Sequence, residues 1–208
     1  MRIGIKKIFL FLFFLVSLSS LAASPELWVG AAFTADRNMV SEEIDSSFPA
    51  MGKSISVIRS LGLDLDLTFF PFEEVRIGLT AGYNVLLPIG ITETGGSNIG
   101  YITYDIDTRQ DASAGLAYYQ FFTPVLGAYL ICSFQYSWYR TATAHIPNDS
   151  APMEFMIEEE YGIAADLGIL TRSNNMFFRL GLSGFYDLKH KTDPGLRFAL
   201  VAGGGMII

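Results

Sequence analysis

The chain has 208 residues with 14 basic and 21 acidic side chains, and its net charge of -7 excludes a basic surface for nucleic acid. Half of the residues are apolar and 17% are charged, a composition that excludes a disordered chain. The single cysteine, Cys132, excludes an internal disulfide framework and a cysteine-rich metal site.

Residues 1–23 are the first element, and they predict a cleaved secretory signal peptide. Basic residues at positions 2, 6 and 7 precede the unbroken apolar run 8–16, and small residues follow it. This run is too short to span a bilayer as a helix, so cleavage after Ala22 or Ala23 is expected. The mature chain, 24–208, would then leave the cytoplasm as one domain.

The mature chain alternates apolar and polar residues with period two. In the clearest segment, Leu61 to Phe69, every odd residue is large and apolar and every even one is polar or glycine. This alternation is typical of strands with one apolar and one polar face. Eight segments show it: 27–33, 61–69, 75–85, 112–118, 126–138, 161–169, 178–188 and 196–208.

The polar face of these segments is rich in glycine and nearly lacks Lys and Glu. Strand faces in water usually carry such long charged side chains, whereas small residues with a few Asp and Arg suit a narrow closed interior. The connections are alternately long and short, as in transmembrane barrels. The sequence therefore predicts an all-β fold, an eight-stranded antiparallel up-and-down transmembrane β-barrel with Cys132 on its lipid side.

The long connections are the predicted outer loops, at about 36–54, 88–100, 141–158 and 189–195. The short turns, near 70–74, 120–124 and 171–175, would face the periplasm. An even number of strands brings both termini to that same side. The expected location is the outer membrane of a double-membraned bacterium, with both termini periplasmic.

The phase of the fourth strand continues upstream through residues 101–111, which predicts a strand that projects beyond the bilayer. Residues 54–59 are its expected partner. Aromatic residues beside the short turns predict an inner girdle at the membrane interface. They are Phe69, Phe70, Phe72, Tyr118, Tyr119, Phe121, Phe122, Phe177 and Phe178.

Charges on the polar face predict a compensated network inside the barrel. If the first short turn closes symmetrically, Asp66 lies opposite Arg76, with Asp64 one diagonal step away. Asp166 and Arg179 would flank the third short turn in the same way. The network either plugs the barrel with salt bridges or lines a constriction that passes small solutes or ions. Its expected members are Asp64, Asp66, Arg76, Asp166, Arg179, Asp187 and Arg197.

The signal peptide, the eight strands, the aromatic-flanked turns and the C-terminal strand together resemble the small outer-membrane barrels of OmpA, OmpX and OmpW type. The resemblance covers the mature chain, whose length and long loops are more similar to the OmpW group. It implies contact with outer-membrane lipid and with the barrel assembly machinery. Such barrels usually end in Phe or another aromatic residue, whereas this chain ends in Met206-Ile207-Ile208, an unconventional assembly signal.

The OmpW resemblance also implies uptake of small hydrophobic compounds that leave sideways through the barrel wall. Apolar residues in two outer loops are the candidate entrance for such solutes, although packing among the loops explains them equally well. They are Met39, Phe48, Met51, Met153, Phe155 and Met156. The functional prediction is a narrow channel or conduit for small solutes.

Two other interpretations stay open. One is a plugged barrel that displays its loops to host molecules for adhesion or other interactions. The other is a secreted soluble barrel of lipocalin type, with the apolar face inside around a ligand. An enzyme is not expected, because the only histidines are His145 and His190 and no Gly-x-Ser-x-Gly sequence is present. No cofactor or metal ion is expected.

Overall fold

The computed structural model describes residues 26–39, 54–71, 76–94, 103–138, 140–145, 152–189 and 196–208. The predicted signal peptide lies outside this part of the chain, as do Phe48 and Met51. Within it, no helix has the length and apolarity needed to span a bilayer.

Eight long strands form a closed antiparallel barrel, and three short ones form a separate sheet. The barrel strands are β1 (Glu26–Met39), β2 (Ser54–Phe70), β3 (Ile77–Thr94), β5 (Arg109–Phe121), β6 (Leu126–Ser137), β9 (Glu160–Ser173), β10 (Met176–Asp187) and β11 (Leu196–Ile207). The short strands are β4 (Thr103–Ile106), β7 (Arg140–His145) and β8 (Met153–Ile157). Each barrel strand pairs with the next one along the chain, and β1 pairs with β11.

The first and last strands close the barrel beside the short turns. Trp28 lies opposite Ile207, and the backbone N–H groups of Leu27 and Ile208 donate reciprocally to each other's carbonyls at 3.0 and 2.8 Å. Closure leaves no unpaired sheet edge along the barrel wall, which is the arrangement that lets a sheet cross lipid. The start of β1 and the end of β11 therefore both lie at the short-turn end of the barrel.

The apolar face points outward. Leu61, Leu63, Leu65 and Leu67 are each 43–51% exposed, while Asp66 and Thr68 on the alternate positions of β2 are 6% and 0% exposed. The predicted eight-stranded fold and its outward apolar face are confirmed. The lipocalin-type interpretation required these leucines inside the barrel, so it is wrong.

The short strands form an outer sheet in the order β4-β7-β8 at the long-loop end. Thr103 pairs with His145, and Arg140 pairs with Ile157. The expected pairing of residues 54–59 with 101–111 is wrong. Residues 54–59 continue the β2–β3 ladder past two register shifts, and Ser54 lies opposite Thr94.

The inner girdle is corrected in part. Phe70, Tyr119 and Phe177 point into the lumen and are at most 5% exposed, whereas Tyr118 and Phe178 are exposed on the outside. Successive side chains of a strand point to opposite faces, so a pair of adjacent aromatic residues cannot share one girdle. Phe72 lies outside the described residues.

Candidate functional site

An aromatic cluster centred on Trp28 lies inside the barrel at the short-turn end. The Trp28 ring lies 4.8 Å from Phe177, 4.9 Å from Tyr119 and 5.6 Å from Phe70, measured between ring centroids. Trp28 and Phe177 are each 1% exposed. These rings pack with Tyr129, Ile131, Leu170 and Ile207 in one buried cluster, which is named the aromatic seal below.

A charged cluster lies next to the aromatic seal. Nη2 of Arg179 is 2.7 Å from Oδ2 of Asp66 and 3.4 Å from Oδ2 of Asp64, across the lumen from β10 to β2. Gly30 makes room for this cluster, and Gly181 makes room for Tyr129 of the aromatic seal. A Cβ on Gly30 would lie 2.6 Å from Oδ2 of Asp66, and a Cβ on Gly181 would collide with the Tyr129 hydroxyl.

The expected positions of Arg76 and Asp166 are corrected. Asp66 pairs with Gly82, so Arg76 does not face it. Arg76 is exposed just before β3, with Cζ 5.2 Å from the ring centroid of Phe121. Asp166 lies opposite Ser183 on β10, not opposite Arg179. The β2–β3 connection is longer than a symmetric turn after Phe70 requires, which shifts every partner along β3.

A second charge network fills the mouth of the lumen at the long-loop end. Arg109 binds Asp36 at 2.8 Å and Asp111 at 3.1 Å. Arg197 lies 3.8 Å from Asp111 and 3.6 Å from Glu160. All except Glu160 are at most 6% exposed. The mouth therefore contains crossing ion pairs between four strands, β1, β5, β9 and β11.

Two further residues complete the mouth. Cζ of Arg197 lies 3.6 Å above the ring centroid of Phe185, a cation–π contact. Asp187 is 3% exposed and accepts a hydrogen bond from the backbone N–H of Lys189 at 2.8 Å. Lys189 also binds Glu158 through its Nζ atom, which ties the end of β10 to the segment after β8.

Three members of this network are absent from the network that the sequence predicts: Asp36, Arg109 and Asp111. Asp36 was assigned to the first outer loop, and the other two to a strand projecting beyond the bilayer. All three alternate with the apolar residues of their strands, so the sequence already places them on the polar face. What the sequence lacked was the height of each residue along the barrel axis, which depends on the pairing of β1 with β2 and of β3 with β5.

Small and apolar side chains of the outer sheet are buried. Ala142 and Ala144 are 0% exposed, and Ile157 on the adjacent β8 is 5% exposed. Arg140 at the start of β7 is also buried, and burial, followed by the positive charge of Arg109, lowers its pKa to about 10. Because the charge of Arg109 acts on Arg140, this end of the outer sheet lies near the mouth of the lumen.

The candidate apolar entrance is only partly visible. Met156 is 65% exposed on β8, on the face opposite Ile157. The backbones of Met39, Met153 and Phe155 lie at the long-loop end, in β1 and β8. Phe48 and Met51 are outside the described residues, so the apolar entrance stays a prediction. His145 is exposed on β7, and no cluster of three or more His, Cys, Asp or Glu with metal-binding geometry occurs within the described ranges.

A polar cavity of about 60 Å³ separates the Arg179 cluster from the mouth network. A neighbouring cavity of about 40 Å³ lies among the mouth residues, and the two share Thr34, Asn84 and Asp111 in their walls. The lumen thus has polar space in its upper part and a closed aromatic layer below it.

No known protein family matches the sequence, and no curated protein does. Solved structures do match the fold. Ail, the attachment invasion locus protein of Yersinia pestis, is 12% identical with a TM-score of 0.52, and the match covers 89% of this chain and 99% of that chain. Neisserial surface protein A is 10% identical with a TM-score of 0.57, covering 86% and 96% respectively. The chain has the fold of small eight-stranded outer-membrane barrels.

Proposed function

We propose that the protein is an integral outer-membrane barrel, with its short turns and both termini in the periplasm and its long-loop end outside the cell. The support is the outer surface of the wall, where each of the eight strands carries at least one exposed large apolar side chain and β2, β3, β9 and β10 carry four or more. Such a surface is far larger than the apolar patches that soluble monomers tolerate. Lipid shields this apolar surface from water, and the closed barrel leaves no backbone N–H or C=O group of the wall unpaired in the lipid.

The native Cys132 tests this placement, because it is exposed on the outward face of β6. In liposomes, we expect a membrane-permeant apolar maleimide to label it and a charged, water-soluble maleimide to leave it unmodified. The control moves the cysteine to the exposed outer sheet, as Cys132→Ser with Thr141→Cys, which the charged reagent should label. Rapid labelling of Cys132 by the charged reagent in intact liposomes would contradict the membrane placement.

The barrel is further proposed to act through its long-loop end, as a surface-interaction protein, with a lumen closed to solutes. The aromatic seal carries this proposal, because Trp28, Tyr119 and Phe177 are each at most 2% exposed and pack against one another inside the barrel. A lumen of eight strands is just wide enough for side chains to fill. Acidic side chains are exposed on the outer sheet, at Asp105 and Glu154, so a partner with a basic surface suits this end.

Planar-bilayer recordings test the closure. The native protein should give no steady conductance, because the aromatic seal blocks the polar upper lumen. Trp28→Ala combined with Tyr119→Ala should open a measurable conductance. Phe33→Ala is the matched control, since Phe33 is an aromatic residue of the same strand that points outward and is 76% exposed; it should stay silent. Steady conductance of the native protein would overturn the closed-lumen proposal.

A narrow channel is the second candidate, favoured by the two polar cavities that adjoin one another above the seal. The same recordings decide between the two functions. The hydrophobic-solute conduit and the OmpW-like assignment stay predictions. Catalysis is not part of either proposal.

Cell adhesion tests the outward role. Cells that display the native protein should bind immobilised basic host proteins more strongly than cells displaying a variant in which Asp105 is replaced by Asn and Glu154 by Gln. These changes leave the barrel wall intact, and heat-modifiable gel migration checks that it is folded. Equal adhesion by the two cell types would contradict a role for the acidic outer sheet.

A further inference from the structure

The cavity in the middle of the lumen is lined almost entirely by polar side chains. Asp64, Asp111 and Asp166 supply carboxylates, and Thr34, Ser113, Ser133 and Ser183 supply hydroxyls. Its volume of about 60 Å³ is enough for roughly four water molecules. A polar cavity of this size is filled in a folded protein, since buried polar groups keep their hydrogen bonds.

Several side-chain oxygens of these lining residues have no protein partner among the described residues. They include Oγ1 of Thr34, Oδ1 of Asp111 and Oδ1 of Asp166. Thr34 is only 5% exposed and Asp111 only 2% exposed, so bulk water does not reach them freely. Each unpaired buried oxygen destabilises the fold unless something inside the cavity binds it.

The charge around the cavity is also unbalanced. Arg179 is the guanidinium that contacts the lower carboxylates, and it binds Asp66 at 2.7 Å and Asp64 at 3.4 Å. Asp166 lies opposite Ser183 and accepts a hydrogen bond from its hydroxyl, and it forms no ion pair within the described residues. Three carboxylates therefore share one guanidinium in this layer of the lumen. Buried charges are normally compensated, and the surplus here is negative.

We propose that this cavity binds one monovalent cation of the sodium type, held by Asp166, Asp64 and the Thr34 hydroxyl, with water completing its shell. Oxygen atoms are the ligands that hard cations prefer. The carboxylates do not form a cluster able to chelate a metal ion directly within the described part of the chain, which favours a singly charged, partly hydrated ion. This inference goes beyond the proposed surface role and does not depend on it.

The test compares sodium chloride with choline chloride at equal ionic strength, using the full barrel folded in a nonionic detergent. Sodium should raise the thermal unfolding midpoint in a saturable way, and the ²³Na resonance should broaden in the presence of the protein. Asp166→Asn should abolish both effects. Thr34→Val removes one ligand oxygen without changing the shape of the side chain. It should raise the half-saturating sodium concentration by about tenfold.

Asp105→Asn is the matched control, because Asp105 is an exposed carboxylate of the outer sheet; it should respond to sodium as the native protein does. Identical midpoints in sodium and choline, with no broadening of the ²³Na line, would overturn the proposal and leave a water-filled cavity. So would an equal loss of the sodium effect in Asp105→Asn and Asp166→Asn. If Asp166→Asn does not fold, Thr34→Val decides, and an unchanged half-saturation overturns the proposal.

Discussion

Replacing Arg179 with Met should lower the free energy of unfolding by about 3–5 kcal/mol, the usual cost of removing one partner from a buried ion pair. The guanidinium is 5% exposed and contacts Asp66, which is 6% exposed, at 2.7 Å. Without it, Asp64 and Asp66 stay in the lumen as carboxylates without a counter-charge. The side chain of Met is close to Arg in length, so the loss of charge dominates over any cavity. Urea unfolding in lipid vesicles, followed by tryptophan fluorescence, measures the change.

Arg172→Met is the matched control, because Arg172 also forms an ion pair at 3.0 Å, with Glu26, but both side chains are at least 25% exposed. We expect a loss of less than about 1 kcal/mol there. Adding Asp64→Asn and Asp66→Asn to Arg179→Met should recover most of the lost stability, since the uncompensated charges are then gone. A loss that is equal at Arg179 and Arg172, or that the Asn substitutions fail to recover, would show that the cluster does not stabilise the barrel electrostatically.

Leu182→Arg should destabilise the barrel by about 2–4 kcal/mol in a bilayer, the cost of an arginine near the midplane of a barrel wall. Leu182 lies near the middle of β10, is 55% exposed and faces away from the lumen. On a water-facing strand, the same change would be nearly neutral, because a surface substitution loses little packing. The size of the effect therefore distinguishes a wall that faces lipid from a wall that faces water.

Met176→Arg is the control for depth. Met176 begins the same strand beside the two-residue turn and is 49% exposed, so it shares the orientation of Leu182 but lies at the short-turn end. Its arginine reaches the interface, where the expected cost is about 0–1 kcal/mol. Equal, small effects at the two positions would mean that the wall faces water rather than lipid.

Local sequence was enough for the eight barrel strands and for the two faces of each of them, but not for the outer sheet, because β7 and β8 lie almost wholly within the predicted loop 141–158. Period-two alternation determines the faces, because successive side chains of any strand point in opposite directions. The leucines of 61–67 therefore had to share a face with one another and not with Asp64 and Asp66. The short connections at 122–125 and 174–175 are also local, and Asn174 adopts the positive φ of 52° that a tight turn needs.

The tertiary structure decided which residues meet across the lumen. The β2–β3 register places Gly82 rather than Arg76 opposite Asp66, and Arg179 reaches Asp66 from a strand more than one hundred residues away. The aromatic seal arises in the same way, since Trp28, Tyr119 and Phe177 come from three strands that closure brings to one height. Face is a property of each strand alone, whereas height and cross-lumen contact depend on how all eight ladders are staggered when the barrel closes.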